Sequence, residues 1–358
     1  MKSLVIILGA GASKEVNLPV GVELKDDIAR LLDFRLDSFG RQQSGDSHIV
    51  DALRLIESKF KANREAIDSI RASRRIRDAM PQAISIDNFI DCHAGDTGIA
   101  VCGKLAIARS ILAAEGKSSL NISKGNIYNK LNFAGTTKTW LNGFFQILTE
   151  NCRVEDLPSR LQRVGVVSFN YDRCFEHYLF HAIQNYHGIG PERAAEILSN
   201  LDVHHPYGMV GKLPWMSVEQ PVEFGADVDV RQLVAIAEQL RTFTEGTDPG
   251  ASHIEEIRST VRQGSRLVFM GFAFHRLNME LLFGPLDSAV EQPPQSIYGT
   301  ALGISHSDCE VIKDELAMHI NPNEQTRVLE LRQLPIWLRN DLACAGLVQE
   351  YRRSLSLA

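Results

Sequence analysis

The sequence lacks three features that would each indicate a particular class of protein. None of its six cysteines belongs to a CxxC pair, so no zinc ribbon or knuckle is encoded and no metal site is expected. No apolar stretch approaches the roughly 20 residues of a membrane span. The net charge of −6 argues against nucleic-acid binding over the whole surface, although it leaves room for a local basic patch.

The composition that remains is typical of a soluble globular protein. The 358 residues are 44% hydrophobic and 23% charged, which is enough for a sizeable core and excludes a disordered chain or a collagen-like fibre. Cysteines that are scattered singly are typical of a reducing cytosol. The apolar run at Leu4–Leu8 is too short for a signal peptide. We therefore expect a cytoplasmic protein that does not span a membrane.

Aliphatic runs predict a parallel β-sheet. Residues 4–8, 164–169 and 267–270 are mostly continuous apolar runs, which is the pattern of strands buried on both faces. Two further strands are predicted at 296–302 and 327–331, with a helix between them. Strands that alternate with helices indicate an α/β fold, here a Rossmann-like parallel sheet with helices on both faces.

Helical spacing dominates the region between the first two strands. Apolar residues recur at helical spacing over four segments: 49–80, 86–93, 98–115 and 138–150. Residues 35–47 are rich in Gly, Ser, Gln and Asp and are predicted to form a loop, and no strand is predicted in this region. We therefore divide the chain into a Rossmann-like domain (residues 1–34 and 160–358) and a helical insertion module (residues 35–159).

A glycine-rich segment follows the first predicted strand, with the sequence Gly9-Ala10-Gly11-Ala12-Ser13. Glycines at such a position let the backbone approach a phosphate, and the N–H groups at the start of a helix favour an anion. The match to GxGxxG fails at its third glycine, which is a lysine here, and no acidic residue ends a second strand about 20 residues later. A tight turn between strand and helix is the alternative.

The second and third predicted strands also end in polar or glycine-containing segments. Asn170 and Asp172 flank a tyrosine at the end of the second strand, where ligands bind in open α/β sheets, although either residue could simply cap the next helix. His204 and His205 lie downstream in a predicted loop; adjacent histidines do not easily share one metal, so a single histidine acting as a base is the better hypothesis. Gly271 ends the third strand and predicts close approach by a ligand.

The ordered set of motifs resembles the sirtuin-like family, specifically the divergent bacterial branch linked to antiphage defence. The matching segments span most of the chain: GAGAS at 9–13, SIDNF at 85–89, GKLAI at 103–107, SFNYD at 168–172, the histidine-containing turn that ends at Gly208, and GFAF at 271–274. The resemblance rests on the combination of these motifs in this order.

The resemblance implies a site that binds NAD. Asn170 matches the family's catalytic asparagine, which hydrogen-bonds the nicotinamide ribose, and Asp172 belongs to the same pocket. The family's active histidine directly precedes a glycine, but Tyr207 occupies that position here. We favour His205 as the general base, with His204 as the alternative. The residues implied in cofactor binding are Gly9, Ala10, Gly11, Ala12, Ser13, Phe169, Gly271 and Phe272, with the glycine loop at the phosphates and Gly271 near the adenosine.

Two departures from the family pattern bear on the activity. Protein deacylases of the family carry a four-cysteine zinc module, and this chain has no CxxC pair. They also carry an arginine shortly after the glycine loop, whereas residues 18–21 here read Leu-Pro-Val-Gly. The resemblance therefore implies an NAD+ hydrolase that releases nicotinamide and ADP-ribose, with protein deacylation the least favoured activity.

The same resemblance implies partners and leaves alternatives open. Proteins of this branch form homo-oligomers, and some act with a hexameric HerA-like ATPase in abortive infection, where depletion of NAD is the effector step. One alternative is a nucleic-acid-processing subunit, because Arg71, Arg74, Arg75 and Arg77 form a basic cluster; basic residues that complement a helix C-terminus explain the cluster equally. The other alternative is a sensor that binds NAD or ADP-ribose without turnover.

Overall fold

A parallel sheet forms the centre of the protein. The structure, a computed structural model, describes residues 2–36, 38–39, 42–62, 68–123, 125, 130–242, 245, 253–284, 294–320 and 334–357. The strands within these residues are β1 (Leu4–Leu8), β2 (Arg35–Leu36), β3 (Gln42–Ser44), β4 (Val164–Ser168), β5 (Asp202–His204), β6 (Arg266–Met270), β7 (Ser296–Thr300) and β8 (Ile336–Arg339). Six of them form one sheet in the order β5-β4-β1-β6-β7-β8, and every pairing in it is parallel.

The sheet has the strand order of dinucleotide-binding folds. Numbered by their occurrence in the sheet, the strands follow the order 3-2-1-4-5-6. The chain runs outward from β1 through β4 to β5, and then returns to place β6 on the other side of β1. The order therefore reverses between β1 and β6, and a crevice forms outside the carboxyl ends of strands at such a point. The prediction of a Rossmann-like α/β fold is confirmed.

Helices cover both faces of the sheet. They are α1 (Ala10–Lys14), α2 (Gly21–Leu31), α3 (Ser47–Ala62), α4 (Ser69–Ala79), α5 (Ile86–Asp91), α6 (Thr97–Glu115), α7 (Trp140–Thr149), α8 (Leu157–Gln162), α9 (Cys174–His187), α10 (Pro191–Leu198), α11 (Val230–Gln239), α12 (Ile254–Arg262), α13 (Arg276–Phe283), α14 (His306–Ile320) and α15 (Cys344–Glu350), with 3-10 turns at Phe133–Thr136 and Pro214–Met216. Strand β1 shows why two layers form, because Val5 and Ile7 belong to one core cluster, while Leu4, Ile6 and Leu8 belong to the other.

The helices between β1 and β4 contribute to both layers. Helices α2 to α6 bury apolar residues in the same cluster as Val5 and Ile7, and α7 and α8 bury theirs in the cluster on the opposite face. Side-chain caps fix several helix starts: Ser85 accepts from the Asn88 N–H at 3.0 Å, and Asp96 accepts from the Ile99 N–H at 3.2 Å. The insertion is thus packed onto the sheet, and its boundaries stay a prediction.

Three predictions about secondary structure need correction. Residues predicted as a loop at 35–47 include β2 and β3, which form a short antiparallel pair. The helical pattern over 49–80 is divided between α3 and α4. The segment before His205, predicted as a loop, contains β5 at the edge of the sheet. The predicted strand at 327–331 lies outside the described residues, and the strand next to β7 is β8.

Helix α6 corrects the prediction that nothing resembles a membrane span. It has 19 residues with a mean hydropathy of 1.5, which is long and apolar enough to cross a membrane by composition alone. Of its apolar window, however, 61% is buried inside the protein, where it packs against α2, α3, α4 and α11. Burial in the core accounts for the composition, and the helix is compatible with a soluble protein.

Candidate active site

The glycines at the ends of β1 and β6 pack against each other. A Cβ atom on Gly271 would lie 2.1 Å from the Ala12 nitrogen, and one on Gly9 would lie 2.5 Å from the Gly271 oxygen. The Gly11 N–H donates to the Gly271 carbonyl at 3.0 Å, and Gly271 has a φ of +58°. The close approach that the sequence analysis attributes to a ligand is thus made by the protein's own backbone, and ligand contact at these glycines stays a prediction.

Three of the predicted site residues form one hydrogen-bonded cluster beside these glycines. The Asn170 amide donates from Nδ2 to the Gly9 carbonyl and to the Ser13 hydroxyl, both at 3.1 Å. The Ser13 hydroxyl donates in turn to Asp172 Oδ1 at 3.0 Å. All three side chains are buried. The structure therefore brings together residues that are separated by more than 150 positions in the chain.

The Asp172 carboxylate accepts hydrogen bonds from the cluster and from the helix that follows. Its Oδ1 atom also accepts from the Cys174 backbone N–H at 3.0 Å, which satisfies a free donor at the start of α9. Burial raises the pKa of Asp172, and the hydrogen bonds from Cys174 and Ser13 counter part of that effect. Asp172 thus binds a backbone donor of α9 from the position before the N-cap residue, Arg173, and also belongs to the cluster.

A small polar cavity opens next to the cluster. Its volume is about 10 Å³, roughly the space of one water molecule. The polar side chains that line it are Ser13, Ser168, Asn170, Asp172 and Glu176. Two carboxyl groups, an amide and two hydroxyls around one small space can bind a hydroxyl group or water, because each group supplies a donor or an acceptor.

His205 lies between the backbone carbonyl of Asn170 and the carboxylate of Glu176. Its Nδ1 atom is 3.2 Å from the backbone carbonyl oxygen of Asn170, and its Nε2 atom is 2.6 Å from Glu176 Oε1. Burial alone lowers the pKa of His205, but Glu176 and the Asn170 carbonyl favour the protonated ring more strongly, so the pKa lies above its ordinary value. Sequence reasoning missed Glu176, because an acidic residue in the first turn of a helix is common.

His204 points to a different set of partners. It belongs to β5, and its Nε2 atom lies 2.9 Å from Asp202 Oδ1 and 3.1 Å from the Thr260 hydroxyl. The His204 side chain lowers the pKa of Asp202. Of the two candidate histidines, His205 is the one whose ring contacts Asn170.

Aromatic residues pack against each other beyond the carboxyl ends of β4 and β6. Phe169 and Phe272, both predicted to contact the cofactor, are buried against each other with ring centroids 5.1 Å apart. Phe274 packs against Phe272 and has a φ of +53°, an unusual conformation for a bulky residue. Such strain concentrates at functional sites, so the GFAF segment fits a site in this place.

The SIDNF motif of the insertion contacts the SFNYD motif. The Tyr171 hydroxyl donates to the Asp87 carboxylate, and the Tyr207 hydroxyl donates to Asn278 Oδ1 at 2.5 Å. Burial and the nearby Asp87 hold the pKa of Tyr171 well above its ordinary value, so its hydroxyl stays protonated and donates. Tyr207, which stands where the family has a histidine, is thus a buried hydrogen-bond donor.

The arginine cluster of α4 is largely paired with carboxylates. Arg77 lies 2.7 Å from Asp33, Arg75 lies 3.7 Å from Asp96, and Arg71 lies 3.9 Å from the helix cap Asp68. Paired arginines offer less net charge to a phosphate backbone. DNA contact through this cluster stays a prediction.

The fold and the site define an α/β protein with a Rossmann-like sheet and a polar cluster at the carboxyl ends of β1 and β4. Within the part of the chain that the structure describes, no group of three or more His, Cys, Asp or Glu side chains is placed to hold a metal ion. Neither a scan against protein-family models nor a search of curated proteins finds a match to this chain. Membership of the sirtuin-like family therefore stays a prediction.

Proposed function

We propose that the chain is an NAD+ glycohydrolase, which converts NAD+ and water to nicotinamide and ADP-ribose. The observation that supports this function best is the cluster of Asn170, Ser13 and Gly9 beside the point where the strand order reverses. Sheets with this order bind dinucleotides in the crevice at that point. A buried amide and a buried hydroxyl supply the donors and acceptors that a ribose requires.

The proposed reaction begins with departure of nicotinamide. Asn170 binds the nicotinamide ribose, the segment at 9–13 contacts the phosphates, and Gly271 lies near the adenosine. The bond between C1′ and the pyridinium nitrogen breaks, and both bonding electrons leave with nicotinamide, so positive charge develops on the ribose. Carboxylates close to that charge stabilise it, and Asp172 and Glu176 are the acidic side chains that line the cavity at Asn170.

Water completes the proposed reaction by attacking C1′, and its proton passes to a general base. We assign this role to His205, whose Nδ1 atom lies on the Asn170 side of the ring. Because the Asn170 backbone carbonyl accepts from Nδ1–H, Nδ1 must first lose that proton, which leaves a neutral ring with Nε2–H held by Glu176, before Nδ1 can accept the proton of the water. A positioned base contributes about 10²- to 10⁴-fold to the rate.

Substitution of Asn170 tests the function. We expect Asn170→Ala and Asn170→Asp to lower the rate of nicotinamide release from NAD by at least about 100-fold, because the amide that orients the ribose is lost. Asn121→Ala, which changes an exposed asparagine, is the matched control and should keep the wild-type rate. Thermal melting of each variant separates loss of chemistry from loss of fold. A wild-type rate in folded Asn170→Ala would falsify the proposal.

A sensor that binds without turnover is the second candidate, and the engagement of both His205 nitrogens favours it. Such a protein would bind ADP-ribose in calorimetry and release no nicotinamide from NAD, also in the assembled complex.

We further propose, from the sirtuin-like resemblance, a cytoplasmic homo-oligomer that acts with a hexameric HerA-like ATPase and depletes NAD as an antiphage effector. Nicotinamide release measured with and without the ATPase tests the partnership. If the ATPase neither binds the chain nor changes the rate, this part of the proposal is wrong, whereas the Asn170 experiment decides the chemistry by itself.

A further inference from the structure

We propose that Glu176 is a positioning residue. It holds the His205 ring so that Nε2 faces the Glu176 carboxylate and Nδ1 faces the backbone carbonyl of Asn170. This inference rests on the proposed function, because it assigns the residue that orients and charges the proposed general base. Glu176 lies in the first turn of α9, six residues after Asn170, and belongs to none of the motifs that the sequence analysis identified.

The contact between the two side chains is short and shielded from water. Glu176 Oε1 lies 2.6 Å from His205 Nε2, and both side chains are only 5% exposed. At 3.2 Å, the Asn170 carbonyl can only accept a hydrogen bond from Nδ1. The ring is therefore fixed from two sides, and the carboxylate determines which nitrogen turns toward Asn170.

A carboxylate on one nitrogen prepares the other nitrogen for proton transfer. In a carboxylate–imidazole pair, the acid fixes the tautomer and orientation of the ring and stabilises the imidazolium that forms when the ring accepts a proton. Glu176 has this relation to Nε2, so Nδ1 is the nitrogen that can accept a proton, once it has lost the proton that it donates to the Asn170 backbone carbonyl. Without the carboxylate, burial would favour the neutral ring.

Other charged groups around His205 do not replace Glu176. Asp172 precedes α9 and adds a weaker attraction to the protonated ring. His205 also lines a second cleft, and the other titratable neighbours lie around that cleft or pair with a residue that lines it. They are His204 and Asp202 on β5, Arg241 after α11, and His253 and Glu256 at α12. His204 is already paired with Asp202, and His253 with Glu256, which leaves Glu176 as the carboxylate within hydrogen-bond distance of the ring.

Titration of His205 tests the pairing without reference to catalysis. In protein labelled with ¹⁵N-histidine, we expect Glu176→Gln to lower the pH midpoint of His205 by about 1 to 3 pH units, because an opposite charge within hydrogen-bond distance has been removed. Glu196→Gln, which changes an exposed carboxylate on α10, is the matched control and should leave the midpoint unchanged. An unchanged midpoint in Glu176→Gln would overturn the inference. If this variant does not fold, Glu176→Asp, which keeps the charge, takes its place. The His205 midpoint in Glu176→Asp should lie closer to that of the wild type than the fall of about 1 to 3 pH units expected for loss of the charge.

The pH profile of NAD hydrolysis tests whether the pairing matters for function. We expect the acidic limb of the kcat/KM profile to move to lower pH in Glu176→Gln, by the same amount as the His205 midpoint, with a loss of about 10-fold or more at the wild-type optimum. Glu176→Asp should restore part of the shift in the acidic limb and part of the lost kcat/KM. A moved midpoint with an unmoved profile would show that Glu176 is only structural and would overturn the inference. If the wild-type protein releases no nicotinamide, the proposed function fails, while the His205 titration still decides whether Glu176 controls the ring.

Discussion

Buried polar side chains at the end of β4 each satisfy more than one partner. Asn170 donates to two acceptors, and Asp172 accepts from a hydroxyl and a backbone N–H. Because an unsatisfied buried polar group costs about 1 to 3 kcal/mol, such a network fixes the position of every member. A ligand group that accepts a hydrogen bond from Asn170 Nδ2 must therefore replace Gly9 or Ser13 as its partner.

Buried histidines make the stability of the protein depend on pH. His177 stacks on Phe224 with ring centroids 4.1 Å apart, and its Nε2–H donates to the Leu120 carbonyl at 3.1 Å. Burial, helped by the neighbouring His181, lowers the pKa of His177 to about 3. The folded state thus keeps the ring neutral at pH values at which the unfolded chain, with a pKa near 6.5, binds a proton.

Stability should therefore fall as the pH drops below about 6.5, by up to about 1.4 kcal/mol per pH unit for this single group. We expect His177→Gln to have a smaller difference in unfolding free energy between pH 7 and pH 5 than the wild type, as measured in urea. His253→Gln, at an exposed site, should keep the wild-type difference. Equal pH dependence in wild type and His177→Gln would contradict the argument. The pKa of His205 is raised, so its effect on the pH dependence of stability has the opposite sign. That effect is the same in the wild type, His177→Gln and His253→Gln and does not alter the comparison.

The chain segments that follow β1 and β6 pack directly against each other. The segments after β1 and β6 can cross there only because Gly9, Gly11 and Gly271 carry no side chains, and the left-handed backbone at Gly271 adds a second requirement. The same crossing brings Gly9 and the start of α1 beside the GFAF segment. The glycines at the ends of β1 and β6 thus determine the shape of the crevice there.

Gly271→Ala should disrupt this crossing. A methyl group 2.1 Å from the Ala12 nitrogen forces one loop to move, and we expect a loss of at least about 2 kcal/mol from overpacking and left-handed strain together. Gly303→Ala is the matched control, because Gly303 also has a positive φ, +84°, but faces open space, so that only about 1 kcal/mol is expected. Urea unfolding measures both, and equal losses would show that the contact does not matter.

The elements also show how much the sequence could predict. Strands β1, β4 and β6 were predictable because they are buried on both faces and read as apolar runs. Strand β5 was not, since it has three residues and two of them are polar. Asn170 and Ser13 were predicted from their motifs, whereas Glu176 and the contact between Gly9 and Gly271 depend on which elements the fold brings together.

At the scale of the whole molecule, one buried ion pair joins the insertion to the site. Arg173 follows the SFNYD motif, and Glu115 ends α6; their side chains are fully buried and 2.5 Å apart. Arg173 also donates to the carbonyls of Gly211, Val222 and Glu223. Glu115 in turn accepts from the Gly225 N–H at 3.0 Å. Helix α6, the start of α9 and the loop between β5 and α11 are thereby held in one position next to Asn170.

Removal of one partner of this pair should destabilise the whole molecule. We expect Arg173→Met to cost about 3 to 5 kcal/mol, because it leaves Glu115 as an uncompensated buried charge. The double variant Arg173→Met/Glu115→Leu should recover part of that loss, since burial of two apolar side chains avoids the stranded charge. Arg193→Met, which breaks the exposed pair with Glu196, should cost less than about 1 kcal/mol. Urea unfolding provides these free energies, and an Arg173→Met loss no larger than that of Arg193→Met would mean that the pair does not join the insertion to the site.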